Sequence, residues 1–203
     1  MRRYFSHMFE PGWHTSPASW IGVVWGLWVL SWFVAAIWSR QTAAHASYAQ
    51  QAPYRIVTLV GVVLLFGIID FDVFGRGWDV SDTENWILLS LIVAGFAFAW
   101  WARLHLGALW SGTITRKQDH RIVDTGPYAL VRHPIYTGLL LSGFATAISR
   151  GRWEALIGAF LFALGCWMKA RQEERFLSEE LGAEYAAYRK RVPMLVPFTG
   201  ALG

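Results

Sequence analysis

The residues of this chain best suited to chemistry fall in two short polar stretches, each beside an apolar run. The first holds Asp119, His120, Arg121, Ile122, Val123, Asp124, Thr125, Gly126, Pro127 and Tyr128, and continues through Arg132, His133, Pro134, Ile135 and Tyr136. Gly126 and Pro127 mark a tight turn, and Pro134 suits the first position of a helix, where its missing N–H leaves no bond unmade. A helix start presents free backbone N–H groups and the positive end of the helix dipole, so it favours an anionic group such as a carboxylate. His133 can donate a hydrogen bond to such a ligand, and Tyr128 and Tyr136 can border a flat ring. The same three side chains equally suit an aromatic belt at a membrane surface.

The second stretch, Lys169, Arg171, Glu173, Glu174 and Arg175, directly follows an apolar run. Lys169 and Glu173 stand four residues apart, as do Arg171 and Arg175, so each pair shares one face of a helix. These charges read either as helix-stabilising pairs in water or as a site where the Arg171 fork grips a substrate carboxylate through two hydrogen bonds. Beyond them, Leu181, Tyr185 and Tyr188 recur at helical spacing within Glu179 to Phe198. That segment is expected to form an amphipathic helix that ends at Val192 and Pro193 and lies on the membrane, covering a ligand or simply packing.

The elements that must position these residues are set by an unusual composition. Hydrophobic residues make up 55% of the 203 and charged residues 16%, against about a quarter charged in soluble domains. Thirteen Trp and thirteen Phe add to the case for lipid, since indoles favour the headgroup boundary. The net charge is +4, but Arg40, Arg103, Lys169 and Arg171 sit beside apolar runs, where they anchor helix ends. Membrane lipids are therefore the expected partner, and no basic domain remains for nucleic acid. Cys166 is the single cysteine, which excludes an internal disulfide and a thiolate zinc cluster; no metal site is expected. Met1 to Ser19 lacks the cationic start, apolar middle and small-residue cleavage site of a secretion signal, so the first apolar run is expected to be retained.

A spanning helix needs about 20 mainly apolar residues. Trp20 to Trp38, Ile56 to Phe74 and Trp86 to Ala102 meet that length. Ile135 to Ile148 and Trp153 to Met168 are shorter and are separated only by Ser149, Arg150, Gly151 and Arg152, which predicts a helical hairpin that stops short of the far surface or lets its arginines snorkel. The expected fold is all-α: a polytopic membrane protein of about five transmembrane helices, with residues 1–102 an N-terminal transmembrane region and 103–203 a C-terminal region that holds both polar stretches. Basic residues gather between Arg103 and Arg132 and after Met168, so both segments, and a cofactor pocket between them, are expected on the cytoplasmic side. The loop from Gly75 to Asn85, with Asp79, Asp82 and Glu84, is expected outside. Asp70 and Asp72, near the end of the second run, read more simply as a solvated helix end than as a functional intramembrane pair.

The ordered motifs His120-Arg121-Ile122-Val123, Thr125-Gly126-Pro127-Tyr128 and Arg132-His133-Pro134-Ile135-Tyr136-Thr137-Gly138 resemble the cofactor-binding sequence of the isoprenylcysteine carboxyl methyltransferase family. Arg171-Gln172-Glu173-Glu174, Gly182-Ala183-Glu184-Tyr185, Tyr188 and Arg189-Lys190-Arg191-Val192-Pro193 with Pro197-Phe198 continue the likeness, which covers about Leu104 to Phe198 and extends to related membrane phospholipid methyltransferases. The resemblance implies S-adenosylmethionine as cofactor, held by His120, Arg121, Ile122, Val123, Tyr128, His133, Pro134, Ile135 and Tyr136 with a glutamate after the hairpin, Glu173 or Glu174. It implies Arg171 as the residue contacting substrate, and Arg171, Glu173 and Glu174 as the catalytic set. Matching backwards from Gly182 instead puts Lys169 at the arginine position and Glu173 at the glutamate. Thr113 stands where family members carry a polar amide. The implied reaction is methyl transfer to a carboxylate or another group on a lipophilic acceptor, with a phospholipid amine as the alternative. The rival classes are a membrane NADPH-dependent sterol-type reductase and a non-enzymatic membrane scaffold.

Overall fold

Within lipid a backbone has no water to bond, so apolar segments must satisfy their N–H and C=O groups internally, as helices do. The computed structural model describes residues 16–36, 44–45, 48–69, 75, 77–107, 115–116 and 122–199. It is all-helical apart from one two-residue antiparallel pairing, Ala44–His45 (β1) with Thr115–Arg116 (β2). The helices are α1 (Pro17–Ala36), α2 (Tyr48–Phe66), α3 (Asp82–Leu106), α4 (Pro134–Arg150) and α5 (Trp153–Arg191), with a 3-10 turn at Gly126–Ala129 before α4. By length and composition α1, α3 and α5 can each cross a membrane, and the chain is a multi-pass membrane protein.

One element departs from the sequence expectation. The second apolar run was expected to span as Ile56 to Phe74, whereas α2 starts earlier and stops at Phe66. Gly67 adopts a left-handed conformation (φ 60°), and its N–H and that of Ile68 bond back to Leu64 and Val63, closing the helix. The apolar part, Gln51–Phe66, is shorter than a full span. Asp70 and Asp72 lie outside the described residues, as do Met1 to Thr15 and Thr113. The tail, expected as an amphipathic helix that ends at Val192 and Pro193, is a helix ending at Arg191; it joins the second hairpin arm directly, across a kink at the non-helical Gly182 (φ 49°, ψ −121°). At about 1.5 Å per residue the part of α5 before the kink, Trp153 to Leu181, runs ~44 Å, longer than the hydrocarbon is thick, so its charged half beyond Met168 must project from the membrane.

Helix ends explain the boundaries. Ser81 caps α3: its hydroxyl accepts from the Glu84 N–H while the Glu84 carboxylate accepts from the Ser81 N–H at 2.8 Å. Glu84, expected only as an acidic loop residue, is therefore a capping residue. Gly151, left-handed at φ 62°, ends α4 and makes the hairpin turn, and its carbonyl accepts from Gly77 and Trp78.

The helices alternate in direction. Ile21 at the start of α1 packs on Leu88 and Leu89 at the start of α3, and Ala35 near its end accepts from Arg103 near the end of α3. Ser149 at the end of α4 bonds Asn85 at the start of α3. Leu65 at the end of α2 packs on Ala155 and Ala159 in the first turns of α5. The hairpin arms are clasped by other helices: α5 runs along α2 and α4 along α3, interleaving residues before and after 102. Glycine permits this, since a Cβ at Gly158 would lie 2.7 Å from the Gly61 carbonyl and one at Gly95 would lie 2.5 Å from the Gly138 carbonyl. One end of the bundle carries the Gly151 turn. The other gathers the end of α3, the starts of α2 and α4, and the charged half of α5.

Candidate active site

At that second end the chain brings its two polar stretches together. Gly126 (φ 57°) turns the backbone, Pro127 opens the 3-10 turn, and Pro134 opens α4 with His133 as its N-cap residue. The segment beyond Gly182 then folds back over this loop. The Arg132 and His133 N–H groups donate to the Pro193 and Met194 carbonyls at 2.8 and 3.1 Å, and the Thr137 hydroxyl donates to the Leu195 carbonyl at 2.6 Å. The Tyr188 hydroxyl donates to the Tyr128 carbonyl at 2.7 Å. Tyr185, Tyr188 and Val192 form a small core with Ile122, Leu177 and Leu181, so the predicted apolar stripe at 181, 185 and 188 faces the loop.

The centre of the cluster is His133, buried between two carboxylates of α5. Its Nε2 lies 3.3 Å from Glu174 Oε1, and its Nδ1 lies 3.4 Å from Glu173 Oε2. Glu173 also accepts from the Tyr136 hydroxyl at 2.7 Å and faces Lys169 Nζ at 3.8 Å. Glu174 accepts from Arg132 Nε at 2.6 Å, with Arg189 Nε 3.6 Å from its second oxygen. The Arg132 Nη1 group donates to the Val192 and Arg189 carbonyls. His133 stacks on Tyr136 with ring centroids 5.6 Å apart.

The electrostatics follow. Burial disfavours protonating His133, yet the two carboxylates outweigh it and raise its pKa above the ordinary histidine value. Burial likewise opposes ionising Glu174, but His133 and Arg132 hold its carboxyl down to about 2. Burial pushes the Tyr128 phenol well up, so it stays neutral.

Most of the residues singled out in the sequence meet here. His133, Pro134 and Tyr136 begin α4, Tyr128 is buried beneath Tyr188, and Glu173 and Glu174 reach across from α5. Ile122 packs in the small core, and Val123 and Ile135 are half-buried. His120 and Arg121 lie outside the described residues. Arg171 is not part of the cluster: its guanidinium lies 5.6 Å from the centre of the Trp167 ring, the neighbour one helical turn back. The cation beside Glu173 is Lys169, whose ammonium lies 5.4 Å from the Tyr136 ring centre and 6.0 Å from that of Tyr54. Tyr54, on α2 and bonded to the buried Gln51 at 2.9 Å, has no motif to announce it; only the pairing of α2 with α5 brings it there. Arg132 was visible as part of a motif, but its role as partner of Glu174 and of the tail carbonyls was not.

Comparison with known proteins bears on these same residues. Residues 87–179 match the sequence model of the isoprenylcysteine carboxyl methyltransferase (ICMT) family. Protein-S-isoprenylcysteine O-methyltransferase B of Arabidopsis thaliana is 28% identical over 152 residues, which cover 71% of this chain and 74% of the relative. Methanethiol S-methyltransferase 2 of Bradyrhizobium diazoefficiens is 43% identical over 136 residues, 59% of this chain and 49% of the relative. The solved structure of the eukaryotic intramembrane Ras methyltransferase ICMT matches 92% of this chain and 69% of that one with a TM-score of 0.60 at 23% identity, which shows a shared fold. The chain thus spans three quarters of the plant relative and about half of the bacterial one. The matched segment, a little under half of the chain, contains His133, Tyr136, Glu173 and Glu174, so these residues lie in the part that is similar to isoprenylcysteine carboxyl methyltransferases.

Proposed function

We propose that this chain transfers a methyl group from S-adenosylmethionine to a carboxylate on an isoprenylcysteine-like, lipophilic acceptor at the cytoplasmic face of the membrane. The observation that carries the reading is the cluster in which His133, at the start of α4, lies between Glu173 and Glu174 where the bundle leaves the membrane. The residues fit the cofactor. Among the described residues the Arg132 Nη2 group is buried without a hydrogen-bond partner, a donor suited to an oxygen-rich ligand, and the first turn of α4 offers backbone N–H groups for a carboxylate. Tyr128, His133, Pro134, Ile135, Tyr136 and Glu173 would hold the ligand, together with Ile122 and Val123 and, by resemblance, His120 and Arg121. When bound, the cofactor supplies a methyl group on a positively charged sulfur.

The chain's own residues then have three tasks. Glu173, fixed by Tyr136, His133 and Lys169, keeps negative charge beside a cationic ligand. Lys169, rather than Arg171, offers the cation beside Glu173 for an acceptor carboxylate. Tyr185, Tyr188 and Val192 close the loop against water, which strengthens these charge interactions. A carboxylate acceptor, with an ordinary pKa of about 4, is already ionised at neutral pH and needs no general base, so positioning is the main requirement. The cytoplasmic placement rests on the basic residues gathered at this end of the bundle.

A second reading takes a thiol as acceptor, favoured by the 43% identity to a methanethiol S-methyltransferase. A thiol, with a pKa near 8.5, must lose its proton, and Glu173 is the base in reach. The deciding experiment incubates the purified chain with methyl-tritiated S-adenosylmethionine and, in separate arms, a farnesyl-cysteine analogue, a small alkyl thiol and a phospholipid extract. Label in the farnesyl-cysteine ester supports the carboxylate reading; label only in the thiol or only in phospholipid replaces that acceptor. No transfer in any arm, together with a melting-temperature rise from NADPH alone, would favour the reductase reading.

A further inference from the structure

We propose that His105 is a positioning residue for cofactor binding, holding the loop 125–128 from the end of α3. It lies outside the motifs that carry the resemblance and outside the His133 cluster, yet it touches three of the four residues in this turn. Its Nε2 is hydrogen-bonded to Thr125 Oγ1 at 2.8 Å. Its ring lies against the bare Cα of Gly126, where a Cβ would come within 2.8 Å of Cε1. The same ring stacks on Tyr128, with centroids 6.4 Å apart and planes 26° apart. Tyr188 holds the carbonyl of Tyr128 from α5, so the turn is gripped between the ends of two helices.

The platform beneath His105 is anchored by hydrogen bonds. Arg103, two residues earlier and fully buried, donates to the Gly107 carbonyl at 2.7 Å and to the Ala35 carbonyl at 2.8 Å, tying the end of α3 to α1. His105 itself is exposed, so replacing it removes the grip on the loop without opening the core. A loop held in its binding conformation before the ligand arrives loses less entropy on binding, so this grip should appear as cofactor affinity rather than turnover.

The inference rests on the methyltransferase reading, and its test separates the two. Full-length chain in detergent is titrated with S-adenosylhomocysteine by calorimetry, and KM for S-adenosylmethionine and kcat are measured on the acceptor the wild type uses. A neutral hydrogen bond and a ring contact together are worth about tenfold. His105→Ala is expected to weaken the product's Kd and raise the cofactor KM by about that factor, with kcat and the acceptor KM unchanged. His105→Gln, which keeps a partner for Thr125, should recover part of the loss, and Thr125→Val should add little to His105→Ala. Wild-type binding with His105→Ala affinity unchanged would overturn the positioning role alone. A fall in kcat with no change in cofactor KM, not rescued by His105→Gln, would also overturn it. A wild type that binds neither ligand overturns the cofactor reading and this inference with it.

Discussion

Glu174→Gln removes one charge from the most tightly enclosed ion pair at the site and leaves its shape almost unchanged. The side chains of Glu174 and Arg132 are 3% and 2% exposed, and Arg132 Nε meets the carboxylate at 2.6 Å. With the charge gone, the Arg132 guanidinium stays buried with only carbonyl partners, and His133 loses one of its two anionic neighbours. The magnitude can be approached in two ways. Holding a carboxyl at about 2 instead of 4.5 corresponds to ~3 kcal/mol in favour of its charged form. Removing one partner of a buried pair costs about 3–5 kcal/mol, the lower end applying when an isosteric amide keeps one acceptor. A loss of ~3 kcal/mol is therefore expected for Glu174→Gln, and more for Glu174→Ala, read as urea or thermal unfolding in detergent followed by circular dichroism. A Glu174→Leu, Arg132→Met double variant should recover much of that loss, because it removes both charges together. If Glu174→Gln unfolds within about 0.5 kcal/mol of wild type, the pair is solvated and contributes no more than an ordinary surface ion pair.

Other consequences are sharper in direction than in size. The His133 pKa is raised, so its contribution to stability is present below about 6.5 and is lost as pH climbs through the folded value; Glu174 is lowered, so its contribution is present above 4.5 and is lost as pH falls toward about 2. Melting temperature in detergent should accordingly peak between about pH 5 and 6.5, and Glu174→Gln should flatten the acid limb. Gly158→Val drives a branched side chain into the Gly61 carbonyl and the Leu64 backbone, and should destabilise by about 1–3 kcal/mol, whereas Gly22→Val, with nothing within 4 Å, should be near neutral. Lys169→Ala should raise the acceptor KM about tenfold, the scale of one lost charge-assisted bond, while Arg171→Ala stays within about twofold, and the reverse order would return the acceptor contact to Arg171.

The sequence announced this architecture where the signals are local. Apolar runs of the right length located α1, α3 and the hairpin, because a membrane span is recognised from its own residues. The start of α4 was legible because Pro134 punctuates it, and His133, Tyr136, Glu173 and Glu174 were legible as a set through the motif. Two kinds of feature were not. Breaks at glycine were hidden: the helix expected to continue past Met168 does so, but it kinks at Gly182, which no neighbouring residue announces. The left-handed Gly67 likewise stops α2 inside an apolar run that otherwise reads through. Long-range pairing was the second kind. Tyr54 reaches Lys169, and Ala35 reaches Arg103, only because glycines bring α2 onto α5 and α1 lies parallel to α3. The side-chain direction of Arg171 is similar, since spacing could not say whether position 169 or 171 faces the cluster, and contact with Trp167 puts Arg171 on another side of the helix.

Equilibrium binding of tritiated S-adenosylmethionine to the purified chain, set beside His133→Ala and Glu173→Gln, tests the central claim most directly. Saturable binding of one cofactor per chain, displaced by S-adenosylhomocysteine and lost in both variants while each keeps a cooperative unfolding transition, is the expected result. No saturable binding to the wild type, or binding that survives both substitutions, would place the cofactor elsewhere and contradict the site at the start of α4.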